Sequence, residues 1–113
     1  MENVTVGKFV LVVPSSATKG RDDEYNDWYD NRHIHDLLAI PGVKSGRRFV
    51  ASAASPMAPP ANYLAMYEIE SDDPAAVMAE LNRRSAEGVI PITDAIDLTT
   101  AQLWVFEETL SVG

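Results

Sequence analysis

Strand-like and helix-like segments follow one another along this chain in an order that few folds accommodate. Apolar, β-branched runs predict strands, and apolar residues at helical spacing behind acidic or capping residues predict helices. The predicted strands are 4–13, 43–51, 63–70 and 102–106, and the predicted helices are 22–39 and 74–87. This order is that of two split βαβ units on one antiparallel sheet. The sequence therefore predicts an α+β, ferredoxin-like βαββαβ fold with four strands, and residues 1–113 are predicted to form a single domain.

The predicted strands carry more apolar residues than two helices can bury. Two helices cover only one face of the sheet, yet the first, third and fourth strands are apolar on both faces. Four strands spaced about 4.8 Å apart and about 20 Å long leave roughly 400 Å² of flat face. An apolar patch of that size is at the upper end of what soluble monomers expose. The sequence therefore predicts a homodimer in which the two sheets pack face to face about a two-fold axis.

Composition excludes several classes of partner and site. The chain has no cysteine, so it has neither a disulfide framework nor a cysteine metal site. Its net charge of −8 repels phosphate backbones, which argues against nucleic acid binding. Without an apolar run of about 20 residues or a signal-like N-terminus, we expect no membrane partner and a cytoplasmic location.

Residues 24–49, EYNDWYDNRHIHDLLAIPGVKSGRRF, hold both histidines, one of the two tryptophans and two of the four tyrosines. This segment resembles the EthD-like proteins of the dimeric α/β-barrel superfamily, through Trp28-Tyr29, His33, Pro41-Gly42-Val43 and Arg47-Arg48-Phe49. The resemblance implies two ferredoxin-like subunits that join their sheets, with a pocket between the sheet and helices of each. It also implies the chemistry of relatives that include cofactor-independent cyclases, decarboxylases, dehydratases and isomerases. In one respect the chain departs from the pattern, because His35 stands where such relatives often have proline.

His33 is the candidate catalytic residue. On a regular helix it lies about 140° from Trp28, on the apolar face that also carries Tyr29. A histidine there is either a packed residue with one satisfied hydrogen bond or a general acid and base, since imidazole titrates near neutral pH. In the second interpretation, His33 moves a proton while Tyr29 or Tyr67 holds a substrate oxygen.

Five further residues are predicted to bind substrate. Arg48 can grip a carboxylate with its planar guanidinium, although an ion pair with the acidic first helix is the alternative. Aromatic side chains can line the pocket or serve only in packing, and His35 lies beside Trp28 at the edge of the helix face. The five predicted binding residues are Trp28, His35, Arg48, Tyr67 and Trp104.

We predict neither a metal site nor a cofactor. His33 and His35 are about 200° apart on a helix and cannot share an ion there. Haem binding occurs elsewhere in the superfamily, but the chain is short for a haem pocket.

The predicted function is therefore that of a cofactor-independent lyase or isomerase acting on a small hydrophobic or aromatic carbonyl compound. The alternative is a non-catalytic dimer that binds a small molecule as a carrier or sensor. An assembly partner of a larger enzyme is the third alternative.

Overall fold

The computed structural model describes residues 6–113 and has the predicted order of elements, with one short strand added. The strands are β1 (Gly7–Ala17), β2 (Val43–Val50), β3 (Tyr63–Ser71), β4 (Ile96–Asp97) and β5 (Trp104–Glu107). Helix α1 covers residues 22–38, and helix α2 is Pro74–Ala86. All pairings are antiparallel in the order β2-β3-β1, with β5 and β4 both beside β1. The predicted α+β, ferredoxin-like fold is confirmed; that the whole chain is one domain stays a prediction.

Strand β1 differs from its prediction at both ends. The predicted start at Val4 lies outside the described residues, and the strand continues through Ala17 instead of ending at Val13. Pro14 is tolerated because the far edge of β1 is shared by two short strands. β5 pairs with residues 9–12 and β4 with residues 16–17, so Pro14 lies in the gap between them. On that edge of β1, the Pro14 carbonyl oxygen accepts a hydrogen bond from the Gln102 N–H at 3.1 Å. Proline has no N–H, but no strand pairs with this position, so no sheet hydrogen bond is lost.

Helix α1 is not the regular helix that the sequence predicts. It has an α-helical segment (Asp22–Trp28), a π-helical turn (Tyr29–His33) and a second α-helical segment (Ile34–Leu38). The Ile34 N–H donates to the Tyr29 carbonyl five residues back, which is the hydrogen bond of a π-helix. As a result, residues five apart come to lie close to one another on the same side of the helix. The side chains after Tyr29 therefore point in directions that differ from those of a regular α-helix.

A glycine turn ends α1, and a capping aspartate begins α2. Gly42 has φ +98°, and a Cβ there would lie 3.1 Å from Cγ2 of Val77, so the turn after α1 requires glycine. Asp73 caps α2 by accepting from the Ala76 N–H at 3.1 Å, with Pro74 in the first turn. Both helices lie on the same face of the sheet, since their buried residues share one core with those of β1 and β3.

The core lies between this face and the helices. It contains Leu11 and Val13 of β1, Tyr67 and Ile69 of β3, and apolar residues of both helices. The other face, here called the open face, carries the side chains that alternate with the buried ones. By register these are Val10, Val12, Phe49, Leu64, Met66, Trp104 and Phe106. Within residues 6–113, no helix is long and apolar enough to cross a membrane.

Candidate functional site

A pocket of about 180 Å³ lies between α1, α2 and the chain that follows α2. Its lining is largely apolar, and the part contributed by residues 89–101, here called the covering segment, closes one side. The lining residues are Val13, Trp28, Tyr29, His33, Leu37, Leu81, Asn82, Ser85, Ile92, Ile96, Leu98, Ala101 and Leu103. We call this cavity the His33 pocket because His33 is the titratable imidazole in its wall.

The π-helical turn sets the position of His33. It stacks the imidazole on the Trp28 indole, with ring centroids 4.4 Å apart and planes inclined by 25°. The Tyr29 ring meets the imidazole edge-on at 5.0 Å. On a regular helix Trp28 and His33 would point about 140° apart, so this stack depends on the wider turn.

The His33 imidazole is neutral at physiological pH. Burial lowers its pKa from 6.5 to about 4, against a smaller opposing effect of the Asp36 carboxylate. Its Nδ1 is buried and has no hydrogen-bond partner within residues 6–113. A buried polar atom without a partner costs free energy, and such atoms are rare in folded proteins. His33 therefore differs from a packed histidine with one satisfied hydrogen bond.

Trp28 connects His33 to the covering segment. While its ring stacks on His33, the indole Nε1–H donates to the Pro91 carbonyl oxygen at 3.3 Å. Two arginines of the same helical region make parallel contacts, from Arg32 to the Val89 carbonyl and from Arg21 to the Asp94 carboxylate. The covering segment is thus attached to α1 by isolated polar contacts rather than by a hydrogen-bonded sheet along its length.

Three tyrosine side chains lie between α1 and the sheet, on the sheet side of the His33 pocket. Tyr25 is fully buried and shares a hydrogen bond of 2.5 Å with the Ser15 hydroxyl. Burial raises the pKa of Tyr29 to about 12 and also raises the pKa of Tyr67. The Tyr67 hydroxyl is buried without a partner among the described residues. Both phenols therefore stay protonated and can serve as hydrogen-bonding groups, not as bases.

Arg48 lies on the other side of Tyr29. Its guanidinium carbon is 4.5 Å from the centre of the Tyr29 ring, and its two terminal nitrogens donate to Asp30 at 2.6 Å and to Asn26 at 2.9 Å. The ion pair with the first helix, which is the alternative role of Arg48, is therefore present. Its Nε, however, is buried and unpaired within the described part of the chain.

The predicted site residues are only partly brought together. Trp28, Tyr29 and His33 meet at one pocket, and Tyr67 and Arg48 lie behind Tyr29. His35 is exposed and donates from Nε2 to the Asp30 carbonyl at 2.9 Å, away from the pocket. Trp104 pairs with Val12 and so lies on the open face, opposite the helices. The substrate-binding roles of these residues stay predictions.

Sequence reasoning misses the half of the pocket that α2 and the covering segment provide. Leu81 has the helical spacing of a core residue, but Asn82 and Ser85 carry no pattern that marks them. Ile92, Ile96 and Leu98 stand in a stretch broken by proline and aspartate, for which the sequence predicts a loop. Within residues 6–113, no group of three His, Asp or Glu side chains is placed to hold a metal ion.

Comparison with known proteins supports the fold. No family model and no curated protein matches the chain. Among solved structures, a mutant of MhuD with two manganese protoporphyrin IX bound per active site is 18% identical with a TM-score of 0.65, and the match covers 93% of this chain and 98% of that one. A protein described as a monooxygenase from Shewanella loihica PV-4 is 10% identical with a TM-score of 0.63, over 95% and 99% of the two chains. An EthD-like protein from Ralstonia eutropha JMP134 is 19% identical with a TM-score of 0.61, over 94% and 96%.

These likenesses confirm the predicted ferredoxin-like fold, and an EthD-like protein is among the structures that share it, as the resemblance in sequence led us to expect. At such identities they assign no activity, substrate or cofactor to this chain. They do correct the predicted function: a cofactor-independent lyase or isomerase is wrong, because the neighbours are a porphyrin-bound protein and one described as a monooxygenase. The carrier or sensor alternative is no better supported. The error has a physical reason, since one fold carries many chemistries and a resemblance in framework residues does not select among them.

Proposed function

We propose that this chain is an oxygenase that acts on a one- or two-ring aromatic compound carrying an acidic C–H group, bound in the His33 pocket. The observation that supports this is His33 itself, a neutral imidazole in the wall of an apolar pocket, whose buried Nδ1 has no hydrogen-bond partner among residues 6–113. The neighbour described as a monooxygenase supports the reaction class, at the level of fold analogy.

The size of the pocket sets the size of the substrate. An apolar cavity of about 150 Å³ holds one benzene. The His33 pocket, at about 180 Å³, therefore takes one ring, or two fused rings if the covering segment moves outward slightly. The Trp28 indole offers a flat surface against which such a ring can stack.

A porphyrin does not fit these residues. The cavity is smaller than the roughly 300 Å³ at which ligand pockets usually begin, and a four-pyrrole macrocycle needs far more than a benzene site. His33 offers one nitrogen, but the described residues bring no second metal ligand beside it. The porphyrin of the MhuD mutant is therefore not transferred to this chain.

The chemistry begins with a proton. A ring nitrogen of His33 accepts a proton from a CH₂ group next to a carbonyl and leaves a carbanion stabilised as an enolate. The carbanion carbon bonds to one atom of dioxygen, the O–O bond breaks, and the second oxygen atom leaves as water with the two protons of the former CH₂ group. The CH₂ group becomes a carbonyl, so that R₂CH₂ and O₂ give R₂C=O and H₂O. The carbon is oxidised and dioxygen is reduced, with no further reductant required.

The low pKa of His33 suits this role. Burial disfavours imidazolium in the free protein, so the base is unprotonated and ready at pH 7. When the enolate forms beside it, opposite charges in an apolar pocket stabilise each other and the imidazolium becomes favourable. The protein thus couples proton uptake to the formation of the reactive anion.

The experiment compares two histidine variants with the wild type. 2-Indanone, a two-ring ketone with acidic CH₂ groups, is the substrate, and the dione product is measured by chromatography. His33→Gln is expected to lower kcat/KM by about 10²- to 10⁴-fold. His35→Gln, the matched control two residues away, is expected to behave as wild type.

Binding is measured separately, through Trp28 fluorescence. A Trp104→Phe background leaves Trp28 as the only tryptophan. 2-Indanone should quench its emission equally in the presence and absence of the His33→Gln change. Full turnover by His33→Gln, or a Soret shift with haem that depends on His33, would contradict the proposal.

The open face supports a homodimer as the working unit. Trp104 and Phe106 are 44% and 57% exposed there, beside half-buried Val10 and Val12. A second copy packed sheet to sheet would cover this patch. Trp104→Glu is expected to give a monomer in sedimentation at micromolar concentration, whereas Val89→Glu, at an equally exposed apolar position outside the sheet, should stay dimeric. A wild-type monomer would refute this part, and the cytoplasmic location stays a prediction.

A further inference from the structure

A second cleft, of about 500 Å³, lies on the opposite side of Tyr29 from His33. It is formed where the middle of α1 faces the ends of β2 and β3. Its lining residues are Asn26, Asp30, Arg48, Phe49, Val50 and Tyr63. We call it the Arg48 cleft; its volume lies within the range of sites that bind small molecules.

Arg48 is held rigidly at the base of this cleft. Its side chain is only 14% exposed, and its guanidinium carbon lies 4.5 to 5.6 Å from the ring centres of Tyr29, Tyr25 and Tyr63. Cation–π contacts on this scale orient the guanidinium plane before any ligand arrives. The buried Nε without a partner in the described part of the chain indicates that not every donor of Arg48 is used internally.

The present partner of Arg48 is easily displaced. Asp30 is 60% exposed, so its ion pair with Arg48 has one end in water and is partly screened. The aspartate lies in the π-helical turn at the surface of α1, where a change of rotamer moves its carboxylate into solvent. Another carboxylate can therefore replace Asp30 on Arg48, because the Asp30 carboxylate is already largely in water.

The rest of the cleft is apolar on one wall. Val50, at the end of β2, is 68% exposed and points to the same side of the sheet as Arg48, and it pairs with Tyr63, another residue that lines the cleft. A ligand with an apolar body would cover both while its charged end reaches Arg48. Such a ligand gains from burial of apolar surface and from a two-pronged, charge-assisted hydrogen bond.

We infer that the Arg48 cleft binds an amphipathic monocarboxylate, whose carboxylate replaces Asp30 on Arg48 while its apolar body packs on Val50 and the Tyr63 ring. This site is separate from the proposed oxygenase pocket. Tyr29 lies between the two, with Arg48 against its face and the His33 ring at its edge.

The test uses 3-phenylpropionate as the probe and amide chemical shifts in ¹H–¹⁵N spectra as the measurement. The probe is expected to shift residues 26, 30 and 48–50, and its neutral analogue 3-phenylpropionamide to bind much more weakly. Asp30→Asn removes the internal competitor and should tighten Kd about tenfold, whereas Arg48→Lys should weaken it about tenfold.

Two control variants distinguish displacement of Asp30 from a general effect of net charge or of replacing an arginine by lysine. Asp27→Asn makes the same change in net charge one turn earlier and should leave Kd within about twofold. Arg32→Lys makes the same side-chain change outside the cleft and should also be neutral. If Arg48→Lys fails to fold, Val50→Ser replaces it and is expected to weaken binding of the probe.

The inference is overturned if Asp30→Asn does not tighten binding, if acid and amide bind equally, or if the shifts centre on residues 28 and 33. His33→Gln should leave binding of the probe unchanged. Failure of the oxygenase proposal would leave the result here unaffected, because turnover is not measured.

Discussion

The burial of neutral His33 has a consequence for stability that can be worked out from its pKa. In the unfolded chain a histidine titrates near 6.5, whereas in the folded protein the pKa of His33 is about 4. Between these values the unfolded chain binds a proton that the folded protein does not. Low pH therefore favours unfolding, and stability is lost as the pH falls through 6.5 toward 4.

The size of the effect follows from the interval between the two pKa values. Each pH unit is worth about 1.4 kcal/mol, so the full loss is about 3 kcal/mol, of which about 2 kcal/mol is complete at pH 5. That is a large fraction of the roughly 5–15 kcal/mol typical of a small domain. Carboxylates with lowered pKa values, such as Glu80 at about 2, titrate below this window.

The measurement is urea unfolding of wild type, His33→Gln and His35→Gln between about pH 5 and pH 8, at one protein concentration so that dimerisation does not vary. Wild type and His35→Gln should lose about 2 kcal/mol more than His33→Gln over this range. Comparing how the free energy of unfolding changes with pH removes the pH-independent cost of burying a glutamine amide in His33→Gln. If the wild-type and His33→Gln profiles run parallel, His33 is not held neutral and the reasoning fails.

Two further predictions concern the framework of the site. Trp28→Phe keeps a ring on His33 but removes the donor to the Pro91 carbonyl, so it should weaken the attachment of the covering segment by about 1 kcal/mol. Amide hydrogen exchange of residues 89–95 should become faster. Unchanged exchange would show that the Trp28 hydrogen bond does not hold this segment. Gly46→Ala would place a Cβ 3.0 Å from Cγ1 of Ile34 on α1, so urea unfolding should show a loss of about 1–3 kcal/mol; a loss below about 0.5 kcal/mol would show that the helix–sheet contact yields freely.

Much of the fold was predictable because local signals decide it. The period of the apolar residues distinguishes strands from helices, and the Pro41-Gly42 turn and the Asp73-Pro74 cap set helix ends by rules that need no tertiary information. β4 was not predictable, since a two-residue strand in a proline-broken connection has no period to detect.

The sequence predicts which residues of α1 form the site, but not how their side chains are arranged. Aromatic and titratable residues on one helix face indicate Trp28, Tyr29 and His33. Their stacking depends on the π-helical turn, and a wheel drawn at about 3.6 residues per turn cannot contain it. Arg48 shows the same limit: the sequence allows both a ligand contact and an ion pair, and the position of Asp30 in the π-helical turn decides that the ion pair is made.

The reaction class was beyond reach of the sequence for a different reason. A histidine in an apolar pocket can abstract a proton for elimination, isomerisation or oxygenation, and these reactions differ in what happens to the carbanion afterwards. No residue pattern on α1 reports that later step.

Oxygen stoichiometry during turnover of 2-indanone is therefore the most direct test of the proposed function. The account predicts that wild type consumes one O₂ for each dione formed in an oxygen electrode, and that added catalase returns no oxygen. Product formed without oxygen, or oxygen returned by catalase as from released hydrogen peroxide, would contradict an oxygenase in the His33 pocket.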